Sequence, residues 1–354
     1  MLIFAASQKY KNNLVSFVNM DYKSILRTIV KVFVPLTCGL LLLWFLYGKM
    51  DLNEIMNVVR KGVRYDIIIF SCIFCLFANT IRAYRWGLLI ESLGEKYKTG
   101  NVVCAVLGNY ALNLVLPRLG EVWRCGVIAK YEKISFTKLL GTLFVDRISD
   151  SIMVGLITLS IFIFNIKFFR NFFASNPELL EGFKDMFSSI WIYALITFIV
   201  IFVWFMFARM GNSKLVQKSK GMLQNIWAGI KSIWLMKHKI RFIFQTLLIW
   251  VGYFFYFYVT FYAFDFTSDL SVGVGLIAFT MSSIAVAVPV QAGIGPWHFM
   301  VIATLVLFGV KETDAAAFAL VVHAIHTIWE GLCGLVCVIL LPIINKERIL
   351  PVKN

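Results

Sequence analysis

Long stretches of apolar residues alternate with short polar segments along the whole chain. Six of these stretches reach about 20 residues, the length that a helix needs to cross about 30 Å of hydrocarbon. They lie at residues 28–47, 66–90, 138–164, 190–209, 242–263 and 315–341. The pattern predicts an all-α polytopic membrane protein with about six full transmembrane helices.

Two further apolar segments are interrupted by proline. The segment 100–116 runs into Pro117, and the segment 272–310 contains Pro289. Proline removes a backbone donor, and non-helical backbone at membrane depth persists only where it faces protein or a water-filled cavity. Both segments are therefore predicted to be broken helices.

Lysine and arginine assign the sides of the membrane, because cytoplasmic loops collect them. The segment from Arg209 to Arg241 carries eight basic residues and no acidic one, so we place it in the cytoplasm together with both termini. Counting crossings from the N-terminus then leaves 100–116 unable to cross, so it is predicted to be a re-entrant hairpin. For 272–310 the count allows a second hairpin, entering from outside, or ordinary crossings.

The order of span, broken hairpin and span therefore occurs twice, in opposite orientations, within a single membrane domain at 1–354. The first repeat covers 66–165 and the second covers 242–341. Residues 190–241 link them through one span and an amphipathic helix that is predicted to lie on the inner leaflet. Inverted repeats with broken helices are typical of transporters, whose binding site lies between the repeats.

Composition agrees with membrane insertion. Of the 354 residues, 60% are hydrophobic and 15% are charged, whereas soluble domains have about 45–50% and about 25%. The formal charge of +15 comes from basic residues that lie mainly between the spans, which indicates anionic lipid rather than nucleic acid. A multi-pass protein of the cell membrane, in particular the bacterial inner membrane, is the expected setting. The chain contains no glycine-rich phosphate loop, GxSxG elbow or HExxH motif, so we predict no enzymatic activity and no cofactor.

Charged residues cluster around the first break and in the span that follows it. The candidate substrate-binding residues are Arg82, Arg85, Asn113, Arg118, Glu121, Arg124, Asp146, Arg147 and Asp150. Charges at membrane depth are costly, so they normally face the protein interior. Guanidinium groups hold phosphate in a bidentate manner, so a lipid phosphate is a natural ligand for a basic pocket that opens toward the inner leaflet. The alternative is that these charges only pair with one another and hold the hairpin together.

A second set of residues is predicted to serve coupling or gating. Its members are Pro117, Pro289, Gly293, Gly295, His298, His323, His326 and Glu330. His323, His326 and Glu330 lie at helical spacing within one apolar span. Three roles remain open for them, namely zinc binding, titration during proton-coupled movement, and interior hydrogen bonding. No further ligand pattern supports zinc, so no metal site is predicted.

Four short motifs carry a family resemblance. They are Arg82-Ala-Tyr-Arg85-Trp86, Pro117-Arg118-x-Gly120-Glu121-x-x-Arg124, Asp146-Arg147-x-x-Asp150 and Pro289 with Gly293-Ile294-Gly295. In combination they resemble the lysylphosphatidylglycerol synthase transmembrane region family, also called flippase-like domain proteins, from about 31 to 341. The resemblance implies a bilayer-embedded module that moves lipids between leaflets.

Two departures from the family pattern limit what the resemblance implies. Longer members carry a soluble aminoacyl-transferase domain, for which this chain has no room, so synthase activity is not expected. At the late break the family commonly has Pro-Gly-Gly-x-Gly followed by Glu. Here Gln291 and Ala292 precede Gly293, and His298 stands near the acidic position, which argues against an acidic coupling role there.

Two hypotheses from different classes follow. In the first, the chain is a flippase-like transporter that moves an anionic phospholipid or polyprenyl-phosphate lipid through a polar cavity between the repeats. In the second, it transports nothing and is the membrane partner of an enzyme that synthesises lipids or glycans. A homodimer is compatible with both. A third hypothesis, an integral membrane transferase, lacks a nucleophile or metal constellation in the sequence.

Overall fold

The computed structural model describes residues 36–48, 50–115, 119–166, 236–286, 288 and 290–346, with scattered positions between 170 and 227. The helices are α1 (Leu36–Tyr47), α2 (Leu52–Lys61), α3 (Tyr65–Glu91), α4 (Thr99–Val115), α5 (Leu119–Glu132), α6 (Phe136–Phe164), α7 (Lys239–Tyr258), α8 (Asp265–Ser268), α9 (Val272–Ala285), α10 (Pro296–Leu307) and α11 (Glu312–Ile344). A 3₁₀ turn at Val259–Ala263 follows α7, and another at Gln291–Gly293 precedes α10. The described part of the chain contains no strand, and the all-α fold class is confirmed.

Four of the helices are long and apolar enough to cross a membrane. They are α3, α6, α11 and α7 with its 3₁₀ extension to Ala263, and they coincide with four predicted spans. Many large apolar side chains on them are exposed, as a lipid-facing surface requires. The chain is therefore a multi-pass membrane protein. Of the other two predicted spans, 28–47 is described only from Leu36. Apart from isolated positions, 190–209 and most of the predicted amphipathic helix lie outside the described residues.

The first predicted break lies between α4 and α5. These helices have 17 and 14 residues, or about 25 Å and about 21 Å of helix, so neither alone crosses about 30 Å of hydrocarbon. The two helices approach so closely that a Cβ atom at Gly120 would lie 2.1 Å from Asn109 O. Residues 116–118, which include Pro117 and Arg118, lie outside the described residues.

The second break separates α9 and α10, which have 14 and 12 residues and are also too short to cross alone. Between them the backbone is left-handed at Ala292, Gly293 and Gly295, with φ of 51°, 72° and 92°. Glycine adopts this region without strain, whereas Ala292 does not. The short helices favour a hairpin over ordinary crossings. Pro289 lies outside the described residues.

The two breaks contact each other. Gln291 Nε2, at the second break, donates to the carbonyl oxygen of Val115, the last residue of α4, at 3.3 Å. Around this contact α3 packs along α7, and α4 packs along α11. Each predicted repeat thus contributes one helix to each pair. The order of span, broken pair and span occurs twice, and the opposite orientation of the two halves stays a prediction.

The apolar pattern does not predict α2, because ten mixed residues are too few for a span. Asp51 caps the helix, since its Oδ1 accepts the N–H of Asn53 at 2.8 Å. Ile55 is buried in the core, and Glu54 pairs with Lys311 immediately before α11. The helix therefore ties the connection between α1 and α3 to the start of α11.

Candidate functional site

Asp146, on α6, lies at the centre of a buried group of arginines. Its carboxylate accepts from Arg85 Nη2 at 2.5 Å, Arg124 Nη2 at 2.8 Å and Arg147 Nη2 at 3.0 Å. Arg85 lies on α3 and Arg124 on α5, so one carboxylate joins two helices to α6. The side chains of Asp146 and Arg85 are 0% exposed, and that of Arg124 is 1% exposed.

Asp150, one turn further along α6, is the second carboxylate of the group. It accepts from Arg85 Nη2 at 2.8 Å and pairs with Arg147 Nη2 at 3.1 Å. Arg82 Nη1 also donates to it. A spacing of four residues places Asp146 and Asp150 on one helical face, and both carboxylates meet the arginines of α3.

Arg147 and Glu121 form the accessible edge of the group. Arg147 Nη1 donates to Glu121 Oε1 at 3.1 Å, and their side chains are 37% and 25% exposed. We call the seven residues the arginine network: Arg82, Arg85, Glu121, Arg124, Asp146, Arg147 and Asp150. With four guanidinium groups and three carboxylates, the network carries one positive charge in excess.

Some N–H donors of the network have no hydrogen-bond partner among the described residues. They are Arg124 Nε, Arg124 Nη1 and Arg147 Nε, and all three atoms are buried. The Arg124 guanidinium lies 4.6 Å from the Trp86 ring centre, which stabilises the cation. Unfilled donors and excess positive charge together give the network the chemistry of an anion-binding site.

The burial of Arg85 and Arg124 differs from the sequence interpretation, in which the arginines line an open pocket. Both are enclosed because Asp146 draws them between α3, α5 and α6, and Arg82 is likewise only 4% exposed. Arg147 is the arginine of the network that lies at the surface. In this conformation Arg147 is therefore the arginine of the network that is most accessible from outside the protein.

Asn113, another candidate binding residue, makes contacts that shape the first break. Its Oδ1 accepts the N–H of Gly120 at 2.9 Å, and its Nδ2 donates to Asn109 Oδ1 at 3.1 Å. These bonds hold the end of α4 against the start of α5. Arg118 lies outside the described residues, so its place beside the network stays a prediction.

A row of polar side chains that the sequence interpretation missed leads from Arg82 to Glu330. Arg82 Nε donates to Tyr253 OH at 3.1 Å, and Tyr253 OH donates to Asn79 Oδ1 at 2.6 Å. Asn79 Nδ2 donates to Cys75 Sγ at 3.3 Å, and Cys75 Sγ donates to Glu330 Oε1 at 3.7 Å. We call these five side chains the polar row. The helical spacing of Cys75, Asn79 and Arg82 on α3 is a sequence signal for it, whereas nothing in the sequence points to Tyr253.

His298 and His323 lie at the second break. His323 Nε2 is 2.9 Å from the carbonyl oxygen of Ala292, and the ring centres of the two histidines are 4.5 Å apart. His298 is buried, and its Nδ1 has no partner in the described part of the chain. His323 thus fixes the strained Ala292, and the glycines at 293 and 295 complete the bend.

His326 has different partners from the other two histidines. Its Nε2 lies 3.1 Å from Ser71 Oγ on α3, and its ring stacks on Tyr256 at 3.7 Å. The contacts of His323 and His326 fit interior hydrogen bonding. Among the residues described, no three His, Cys, Asp or Glu side chains are arranged to hold a metal ion.

The fold and the site together define a polytopic helical membrane protein in which a buried arginine–carboxylate network lies beside two broken helices. The sequence model of the family described as "Lysylphosphatidylglycerol synthase TM region" matches residues 29–334. The chain belongs to this family, which confirms the resemblance of the motifs and indicates a membrane protein of lipid-related function. No curated protein and no solved structure gives a significant match.

Proposed function

We propose that the protein moves a lipid with an anionic headgroup, a phospholipid or a polyprenyl-phosphate lipid, from one leaflet to the other. The arginine network binds the phosphate during this movement. The observation that carries the proposal is the excess positive charge of the network combined with its unfilled N–H donors.

An unbalanced arginine is costly in a membrane, so a network of this kind attracts a further anion. A phosphate oxygen accepts from guanidinium N–H groups in a bidentate manner. Arg124 Nε and Nη1 are two separate donors on one guanidinium, on either side of the Nη2 that donates to Asp146, and both are free of partners among the described residues. Each of them can donate a hydrogen bond to a phosphate oxygen.

Arg147 supplies the entry to this site. Its side chain is 37% exposed, whereas those of Arg85 and Arg124 are almost fully enclosed. A phosphate at Arg147 replaces Glu121 as the partner of Nη1, and release of Glu121 opens the way toward Arg124. The headgroup is thus passed inward along guanidinium groups and does not enter hydrocarbon unpaired.

The broken helices supply the flexible part of the pathway. Their ends touch through Gln291 and Val115, so a change at either break moves the helices that end there. Binding near the midplane between broken helices is a recurring transporter arrangement. The proposal takes the bacterial inner membrane as the setting, with both termini in the cytoplasm. It requires no covalent chemistry by this chain.

The test is lipid transfer by purified protein in vesicles with a fluorescent anionic phospholipid in one leaflet. Arg147→Gln should slow transfer at least tenfold, because the entry guanidinium is lost. Lys138→Gln is the matched control, since Lys138 lies on the same helix, is also 37% exposed and pairs with Glu95. The control should transfer lipid at the unaltered rate.

Equal transfer by Arg147→Gln and Lys138→Gln, both folded by size-exclusion chromatography, would overturn the proposal. An unaltered protein that transfers no lipid alone, but co-purifies with an enzyme of lipid or glycan synthesis, would support the partner hypothesis instead.

A further inference from the structure

Glu330 lies at the end of the polar row, away from the histidines of the second break. It belongs to α11, and its first contact is with Cys75 of α3. From there Asn79 and Tyr253 connect it to Arg82 of the arginine network. The row therefore joins a carboxylate of the second repeat to the binding network of the first.

All hydrogen bonds of the polar row run in one direction. Arg82 donates to Tyr253, and Tyr253 donates to Asn79. Asn79 then donates to Cys75, and Cys75 donates to Glu330. Aligned hydrogen bonds polarise one another, so a cation at one end and an anion at the other stabilise the same arrangement. The charge on Glu330 is thus transmitted to Arg82.

Through the polar row, the charge on Glu330 alters the net charge of the arginine network and its surroundings. The arginine network alone carries one positive charge in excess, and an ionised Glu330 cancels it through the polar row. A bound anionic headgroup cancels the same charge. Glu330 and the headgroup are therefore alternative counter-charges. When the headgroup is bound, the neutral, protonated form of Glu330 is favoured.

We propose that Glu330 takes up a proton when the arginine network binds an anionic headgroup, so that headgroup and proton are carried together. The proton adds to a carboxylate oxygen of Glu330 and leaves again when the headgroup is released. This inference rests on the proposed function and adds the coupling ion to it.

The surroundings of Glu330 determine its response to pH. The titratable and charged groups near it are Cys72, Cys75 and Arg82 of α3, Tyr110 of α4, Tyr256 of α7, and His326 and Cys333 of α11. Arg82 is the one permanent cation in this set of described groups. Its partners Asp150 and the incoming anion therefore control how well Arg82 stabilises a charged Glu330.

The size of the effect follows from the geometry of α3. Glu330 contacts Cys75, which lies seven residues, or about 10 Å along the helix, from Arg82, so we take about 10 Å as the scale of the separation between Glu330 and the network. Two unit charges at about 10 Å in a medium of effective dielectric constant about 20 change each other's binding roughly tenfold to twentyfold. We expect the affinity for an anionic headgroup to change by about this factor between ionised and protonated Glu330.

The experiment measures binding of short-chain phosphatidylglycerol to the full chain in neutral nanodiscs between pH 5 and pH 9. Glycerol phosphate in parallel distinguishes a lipid site from a site for free phosphate. The unaltered protein should bind about tenfold more tightly at pH 5 than at pH 9. Glu330→Gln should bind tightly throughout, and Glu312→Gln, an exposed glutamate on the same helix, should behave like the unaltered protein.

Proton uptake on lipid addition, measured with a pH dye in weak buffer, tests the unaltered protein directly and stays decisive if Glu330→Gln does not fold. Binding without proton uptake, or with the pH dependence intact in Glu330→Gln, would overturn this inference and leave the proposed function standing. Absence of anionic lipid binding at every pH would overturn both.

Discussion

Replacement of Asp146 by asparagine tests whether the arginine network holds the first repeat together. Asparagine keeps the size of the side chain but removes the charge that Arg85, Arg124 and Arg147 share. An amide group also offers N–H donors where the arginines need acceptors. The substitution therefore leaves guanidinium groups buried without a full counter-charge.

The magnitude follows from burial. Removing one partner of a buried ion pair costs about 3–5 kcal/mol, whereas an exposed pair contributes about 0–1 kcal/mol. Asp146 and Arg85 are 0% exposed, so we expect Asp146→Asn to lower the free energy of unfolding by about 3–5 kcal/mol. Glu121→Gln is the control, because the pair of Glu121 and Arg147 is 25% and 37% exposed. It should cost about 1 kcal/mol or less.

The assay is unfolding of the purified protein in mixed micelles by increasing sodium dodecyl sulfate, followed by tryptophan fluorescence. The double variant Arg124→Gln/Asp146→Asn should lose less stability than the two single variants added together, because the two groups share one interaction. If Asp146→Asn unfolds within about 1 kcal/mol of the unaltered protein, the network does not stabilise the fold as argued.

Two further substitutions probe the breaks. Gly120→Ala places a Cβ 2.1 Å from Asn109 O, whereas Gly126→Ala on the same helix meets nothing within 4 Å. Only Gly120→Ala should lower the thermal unfolding temperature, because overpacking costs about 1–3 kcal/mol of stability. Equal unfolding temperatures for the two variants would contradict the tight contact between α4 and α5. His323→Phe keeps a ring but removes the bond to Ala292 O, so amide exchange at 290–295 should quicken, and unchanged exchange would show that other contacts hold the bend.

Apolar length predicted the four described spans because a helix in lipid must satisfy its own backbone and match a fixed thickness. The breaks were predictable for a related reason, since proline and glycine interrupt the apolar pattern at Pro117 and between Pro289 and Gly295. The helix α2 was not predicted, because its stability comes from the Asp51 cap and from burial of Ile55 against the bundle. Such tertiary contacts leave no periodic signal in ten residues.

The charged residues of the site were visible in the sequence, but their partners were not. Arg85 and Asp146 are 61 residues apart in the chain, and their pairing depends on how α3 packs against α6. The burial of Arg124 depends on the same packing. Prediction of the polar row would have required the packing of a further helix, because Tyr253 reaches Asn79 only when α7 lies along α3. The sequence therefore showed which charged side chains are present, but it did not show the distances between them or how far each is exposed.

A network that only stabilises the fold and a network that binds a ligand differ in net charge and in the number of buried N–H groups without a partner. A purely structural network is most stable when its charges cancel and its buried N–H groups have partners, because each unfilled donor costs about 1–3 kcal/mol. The arginine network retains one positive charge, and Arg124 keeps two N–H groups without partners among the described residues. The proposed function gives a role to Arg147 at the accessible edge, where its side chain is 37% exposed and is the first guanidinium that an anion from the lipid surface would reach.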